Sequence, residues 1–140
     1  HEDSAMSAAF KVRVGDALPE RLHTPDNVQL MLYNAALWNA HRIHFDEPYA
    51  KEVEGYPGLV IAGPLLGDWL NQVVEEWVGD AGVLTKIEYS NRIASYIGET
   101  LTAGGRVTAV AGDDLTIDVF IRNEAGEIAA PGVATVRLKP

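Results

Sequence analysis

The segment "GPLLGDWLNQVVEEWVGD", residues 63–80, carries the strongest helical pattern in the chain. Its apolar residues recur with the period of an α-helix and form one broad stripe: Leu65, Leu66, Trp69, Leu70, Val73, Val74, Trp77 and Val78. Polar residues occupy the other side, and Gly79 follows as a stop signal. A stripe this wide must be covered over most of its surface, so the sequence predicts a long central helix.

Beyond Gly82 the apolar period changes from 3.6 to 2. Four strand-like runs follow, "VLTKIEYSNRI", "ETLTAGGRVTAVAG", "DLTIDVFIRN" and "EIAAPGVATVRL", with hairpin turn chemistry in "AGDD" and "NEAGE". Consecutive hairpins predict an antiparallel meander. The predicted fold class is therefore α+β, with an antiparallel β-sheet wrapped around a long central α-helix. Such a sheet leaves exposed edges, which dimerisation commonly covers.

The amino-terminal half carries shorter signals. "FKVRV", residues 10–14, alternates like a strand, and "GDALPE" is typical of a loop. A helix is predicted over residues 25–38, with Thr24 as N-cap and Pro25 at the first helical position. Its apolar face would comprise Val28, Leu32, Ala35 and Ala36. "DEPYAKEVEG" predicts a short helix capped by Asp46 and ended by Gly55.

Composition limits the classes of function. The 140 residues, 47% of them apolar, suffice for one globular domain, predicted over residues 6–140 after a tag remnant at residues 1–5. The net charge of −9 comes with scattered basic residues, which argues against nucleic-acid binding. There is no cysteine, and the apolar runs are too short to span a membrane. We therefore expect a cytoplasmic protein that binds neither nucleic acid nor membrane.

One long stretch, "WNAHRIHFDEPYAKEVEGYPGLVIAGPLLGDWL", residues 38–70, is specific enough to suggest a family. It resembles the MaoC-like hydratase/dehydratase family, and most closely the mesaconyl-CoA and itaconyl-CoA hydratase-like branch with the motif Asn-x-His-Arg-Ile-His. "VGDALPE" and the Gly-Glu before "TLTAGGRV" are also similar to that family. The resemblance covers nearly all of the chain, from Phe10 to Leu138.

This resemblance implies a hotdog fold, usually dimeric, that adds water reversibly across the 2,3-double bond of an acyl thioester. The acyl carrier would be coenzyme A or acyl carrier protein, and neither a metal nor a redox cofactor would be required. Most members carry Asp-x-Asn-Pro-x-His. Aligned on His44, the Asp position falls on Asn39, the Asn position on His41 and the Pro position on Arg42.

The reaction needs a base for water and a donor for the enolate oxygen that forms on the thioester. The resemblance places His44 as the base and Asn39 as the group that positions the water or the carbonyl. Gly63 opens the long helix, where backbone N–H groups lack partners, and the resemblance makes its N–H the expected oxyanion donor, with the N–H of Leu65 or Leu66 as further candidates. Further candidates for substrate binding are His41, Arg42, Tyr56, Pro64 and Leu65.

Other interpretations remain open at this point. The spacing of His41 and His44 alone also suits turn residues bonded to backbone, and no third ligand is spaced for a metal. A hotdog thioesterase would need a carboxylate near the central helix, for which Asp68 and Glu75 are the options. A non-catalytic subunit would pair with a homologous hotdog protein and complete its acyl pocket, an idea supported by the missing Asp at position 39.

Overall fold

A computed structural model describes residues 4–7 and 10–140. Strand β1 (Ser4–Ser7) pairs antiparallel with β2 (Phe10–Arg13) in a separate two-stranded sheet. Residues 1–3 of the predicted tag remnant lie outside the described residues, and the backbone of the other two belongs to β1. The tag remnant and the domain bounds therefore stay predictions.

A five-stranded antiparallel sheet surrounds one long helix, as the sequence predicts. The helix is α2 (Gly63–Val78), and the strands are β3 (Arg21–His23), β4 (Gly82–Tyr89), β5 (Leu101–Ala111), β6 (Asp114–Arg122) and β7 (Ile128–Leu138). The predicted stripe of α2 is buried except for Trp77, which is half-buried against Phe10. The sheet contributes fully buried residues such as Leu115, Ile117 and Ile121 to the same core. Within residues 4–7 and 10–140, no helix combines the length and apolarity needed to cross a membrane.

The strand order β3-β5-β6-β7-β4 corrects the predicted meander. The last three strands do form successive hairpins, with Gly112 and Gly126 at positive φ in the turns. However, β4 pairs with β7 and not with its successor β5. A 16-residue helix is about 24 Å long and an 8-residue strand about 26 Å, so β4 runs back along α2. The end of β4 thereby returns to the start of α2.

Two further elements differ from the predictions. Strand β3, which pairs with β5 directly after the predicted loop "GDALPE", was not predicted. Helix α1 (Asn27–Ala36) is shorter than residues 25–38, and its N-cap is Asp26, whose carboxylate accepts from the Gln29 N–H at 2.8 Å. Thr24 instead shares a hydrogen bond with Thr100.

The buried face of α1 is also not the predicted one. Val28 and Leu32 are 59% and 65% exposed, whereas Leu30 and Asn34 are buried. The Asn34 side-chain NH2 group donates to the Leu30 carbonyl at 2.7 Å, whereas its oxygen is buried without a partner among the described residues. The bond one turn back along the helix therefore offsets only part of the cost of burying this polar residue.

Candidate active site

Three short segments meet in front of α2. The Val60 N–H donates to the Ile43 carbonyl at 2.9 Å, and the Ile61 N–H donates to the Ser95 carbonyl at 2.8 Å. Residues 59–61 therefore connect a 3₁₀ turn (Arg42–His44) on one side to residues 95–97 on the other. Because residues 59–61 lead directly into α2, this pairing holds the histidine turn beside the amino end of the helix.

His44 is buried, with 8% of its surface exposed, and its Nδ1 lies 2.6 Å from the Val60 carbonyl oxygen. A carbonyl oxygen can only accept, so Nδ1 carries the hydrogen and Nε2 keeps a lone pair. Burial lowers the pKa of His44 below its ordinary value, although the bond to Val60 partly opposes this change. The imidazole is therefore neutral near pH 7, with Nε2 as its basic atom.

The amino end of α2 leaves one backbone donor free. Ala62 is the N-cap, and no side chain in the described part of the chain caps this end. Pro64 has no N–H, and the Leu65 N–H donates to the Ala62 carbonyl at 3.0 Å. Leu65 is thus not an additional free donor, and its side chain is buried in the core.

The Gly63 N–H has no acceptor among the described residues. Gly63 lies three residues beyond Val60, a stretch of chain that reaches at most about 11 Å. The structure therefore brings His44 and Gly63 into the same neighbourhood.

Asn39 and His41 are both engaged in the turn that precedes His44. The Asn39 side-chain oxygen accepts from the His41 N–H at 3.1 Å, and the Asn39 N–H donates to the Asn34 carbonyl at 2.8 Å. His41 Nδ1 accepts from the Ile43 N–H at 3.4 Å, and its ring centre is 5.8 Å from that of His44. The Asn39 side chain therefore keeps its NH2 group and one lone pair of its oxygen for another partner.

The other predicted substrate-binding residues are more scattered. Arg42 directs Nε and one terminal nitrogen at the same Asp46 oxygen, at 3.0 and 2.7 Å, and its guanidinium lies 4.1 Å from the Tyr49 ring centre. The Arg42 hydrogen bonds lower the pKa of Asp46. Asp46 also accepts from the Tyr49 N–H at 3.2 Å, but the N-cap of the π-helical turn Tyr49–Val53 is Pro48 and not the predicted Asp46. Tyr56 is half-buried, and Pro64 is exposed.

Two contacts on α2 were missed by the sequence analysis. The carboxamide of Asn91 lies against Gly63, and the phenol of Tyr89 lies against Gly67. Neither residue belongs to a recognisable motif. The only available signal was the helical spacing of Gly63 and Gly67, four residues apart on one face, where a neighbouring element can approach closely.

The site combines two features. A neutral imidazole with a free Nε2 lies in the same neighbourhood as the uncapped amino end of the helix that the sheet surrounds. A proton acceptor close to a free backbone donor is the class of site that general acid–base chemistry on an acyl group requires.

The chain belongs to the family described as "Hydroxyacyl-thioester dehydratase type 2", whose model matches residues 3–97. It is 53% identical over 53 residues to mesaconyl-C(4)-CoA hydratase of Chloroflexus aurantiacus, covering 38% of this chain and 19% of that protein. This chain matches 35% or less of the length of the curated relatives.

Solved structures confirm the hotdog fold. The (R)-hydratase from A. caviae, involved in PHA biosynthesis, superposes with a TM-score of 0.85 at 18% identity, covering 95% of this chain and 100% of that one. The structure of the ChsH1-ChsH2 complex from Mycobacterium tuberculosis includes a chain with a TM-score of 0.81 at 21% identity, covering 90% and 98%.

Proposed function

We propose that the chain hydrates an enoyl thioester, or dehydrates the corresponding (3R)-hydroxyacyl thioester, with acyl-CoA as the substrate. One observation carries the proposal. The buried His44 ring bonds the Val60 carbonyl through Nδ1 and keeps Nε2 free, and Val60 lies three residues before Gly63, at the uncapped amino end of α2. The family and the mesaconyl-C(4)-CoA hydratase relative support the same chemistry. Coenzyme A enters as part of the substrate, and the reaction needs no further cofactor.

In the hydration direction, His44 Nε2 takes a proton from water while the water oxygen bonds to C3 of the enoyl group. The C2–C3 π electrons move toward the carbonyl, and negative charge collects on the thioester oxygen. The Gly63 N–H donates to this oxygen. The imidazolium then returns its proton to C2, so that one water is added and the base is restored.

The remaining predicted residues take supporting roles in this proposal. The Asn39 side chain positions the attacking water or the carbonyl, either by donating from its NH2 group or by accepting at its oxygen, which also holds the His41 N–H. His41, Tyr56 and Pro64 line the approach to the reacting carbons. Arg42 contributes through the Asp46 and Tyr49 contacts that shape the turn, and its exposed side allows contact with the carrier.

We further propose that the working unit is an oligomer. A homodimer, or a pair with a homologous hotdog protein, would cover the open edges of the sheet at β3 and β4. The ChsH1-ChsH2 complex shows that a structurally similar chain assembles with a partner. Such a pairing is also compatible with the second interpretation, in which this chain completes a partner's acyl pocket. That interpretation is supported by Asn39, which stands where most family members carry Asp.

A thioesterase has less support from the geometry. Asp68 accepts from the Tyr33 hydroxyl at 2.9 Å, so its carboxylate is already held by α1. This contact and burial raise the pKa of Tyr33. Glu75 is twelve residues along α2 from Gly63, which places it about 18 Å away along the helix axis. Glu75 is therefore remote from the amino end of α2, and the Asp68 carboxylate is already bonded to Tyr33.

The decisive experiment follows two signals in one reaction. Purified protein is mixed with crotonyl-CoA, or with a dicarboxylic enoyl-CoA, and enoyl absorbance and free thiol are recorded together. We expect the absorbance to fall without thiol release, and His44→Ala to reduce kcat by about 10²–10⁴-fold. Thiol release with the enoyl group intact would establish the thioesterase, and turnover only with an added homologue would establish the subunit role.

A further inference from the structure

The side chain of Asn91 lies directly over the first residue of α2. A methyl group placed on Gly63 would collide with Asn91 Nδ2 and would stand 3.1 Å from its Cγ and 3.6 Å from its Oδ1. The NH2 end of the carboxamide is therefore turned toward Gly63, and the oxygen is turned away. Glycine at position 63 leaves the space that this group occupies.

The fold fixes this position through neighbouring contacts. Tyr89 ends β4 with its phenol against Gly67, and Asn91 lies two residues further on, on the same side of an extended chain. Residues 90 and 92 are held by β7, since the Ser90 N–H donates to the Pro131 carbonyl at 3.1 Å and the Arg92 N–H to the Ala129 carbonyl at 2.9 Å. Asn91 is thus anchored on both sides.

The carboxamide of Asn91 is exposed and has no hydrogen-bond partner within the described residues. Its NH2 group lies beside Gly63, whose backbone N–H is the free donor of the helix end. Two neutral donors therefore share one small region. Neutral donors of this kind stabilise a developing oxyanion, because each offsets negative charge without transferring a proton.

We propose that Asn91 is a catalytic residue, the second donor of the oxyanion site. Its Nδ2–H contacts the thioester oxygen together with the Gly63 N–H. This inference rests on the proposed function, and it adds a residue that lies 28 positions beyond Gly63 and outside the histidine motif. The alternative is that Asn91 only packs against Gly63, and this alternative predicts a different ranking of variants.

The test compares Asn91→Ala, Asn91→Asp and the matched control Ser90→Ala with crotonyl-CoA. Asn91→Ala removes the donor, and we expect kcat to fall about 10²–10³-fold with little change in KM. Asn91→Asp keeps the shape of the side chain but places a negative carboxylate where the enolate forms, so its kcat should be lower still. Ser90 precedes Asn91 in the sequence, and Ser90→Ala should retain wild-type kcat. All three should keep the wild-type Tm.

A spectroscopic measurement reads the donor without turnover. Butyryl-CoA labelled with ¹³C at the carbonyl binds but has no double bond to hydrate. Its C=O stretch should move to lower frequency when bound to wild type, and the shift should be smaller in Asn91→Ala. A merely packing side chain would leave this shift unchanged in the variant.

The outcomes separate the two claims. Wild-type kcat and an unchanged carbonyl shift in Asn91→Ala would overturn the role of Asn91 and leave the proposed function intact. An Asn91→Asp variant more active than Asn91→Ala would also overturn it, because only packing would then matter. A wild-type protein that neither hydrates crotonyl-CoA nor binds butyryl-CoA would overturn both.

Discussion

At its carboxyl end α2 is closed by its own backbone, whereas its amino end is left open. At the carboxyl end, Gly79 adopts a φ of 52° and its N–H donates to the Glu75 carbonyl, while Val78 packs against Gly82. At the amino end, Ala62 offers no side-chain oxygen, and the Gly63 N–H remains free among the described residues. The comparison indicates that one end of the helix serves stability and the other serves chemistry.

The largest effect should come from removing the free donor itself. Gly63→Pro deletes the N–H. Gly63→Ala is the matched control: like proline it adds a Cβ that collides with Asn91, but it keeps the backbone N–H. Proline suits the first position of a helix after an extended residue, and Ala62 is extended, with ψ at 132°. We expect kcat for Gly63→Pro to be about 10²–10³-fold below that of Gly63→Ala.

Steady-state kinetics with crotonyl-CoA measure this difference, and thermal unfolding confirms that both proteins fold. Equal kcat values for the proline and alanine variants would show that the amino end of α2 is not the oxyanion site. The contrast between the two ends would then lose its functional meaning.

The closed end should give an effect on stability alone. Gly79 combines a φ of 52° with a ψ of −132°, a conformation that essentially only glycine adopts. Gly79→Ala should therefore cost about 1–3 kcal/mol of unfolding free energy, which corresponds to a Tm lower by roughly 2–4 °C per kcal/mol. Urea unfolding provides the measurement, with Asp80→Ala as the control. A loss of kcat in folded Gly79→Ala would contradict the division between the ends.

The smallest effect should appear in the pH profile. Burial lowers the pKa of His44 below 6.5, so the base is neutral above that pH. For hydration, kcat/KM should be flat above pH 6.5 and should decline at lower pH, with its midpoint below 6.5. The stability contributed by the neutral form is likewise complete above the unfolded pKa and is lost as the pH falls through the folded pKa. An acid limb centred above 6.5 would exclude His44 as the titrating base.

Local patterns predicted those parts of the fold that depend on neighbours in sequence. The stripe of α2 and the hairpin glycines at 112 and 126 are each determined within a few residues, and the structure confirms them. The histidine motif predicted His44 as the base, and that role also stays a prediction. The roles of Asn39 and the substrate-binding residues stay predictions.

The incorrect predictions concern choices between alternatives that local sequence does not distinguish. Helix α1 has apolar residues on two faces, and periodicity favoured the face of Val28 and Leu32, although the buried face includes the polar Asn34. The pairing of β4 with β7, and with it the contact between Asn91 and Gly63, depends on a long-range register. Residues distant in sequence meet only once the sheet has closed around α2.

The contact between Gly67 and Tyr89 also constrains how this sequence can diverge. Any side chain at position 67 would overlap the phenol ring, and the phenol holds the end of β4 against the helix. An enlargement at position 67 therefore requires a smaller residue at position 89 in the same lineage. We expect the two positions to covary among descendants of this protein. One allowed combination is glycine at 67 with tyrosine at 89, and the other is a larger residue at 67 with a smaller residue at 89.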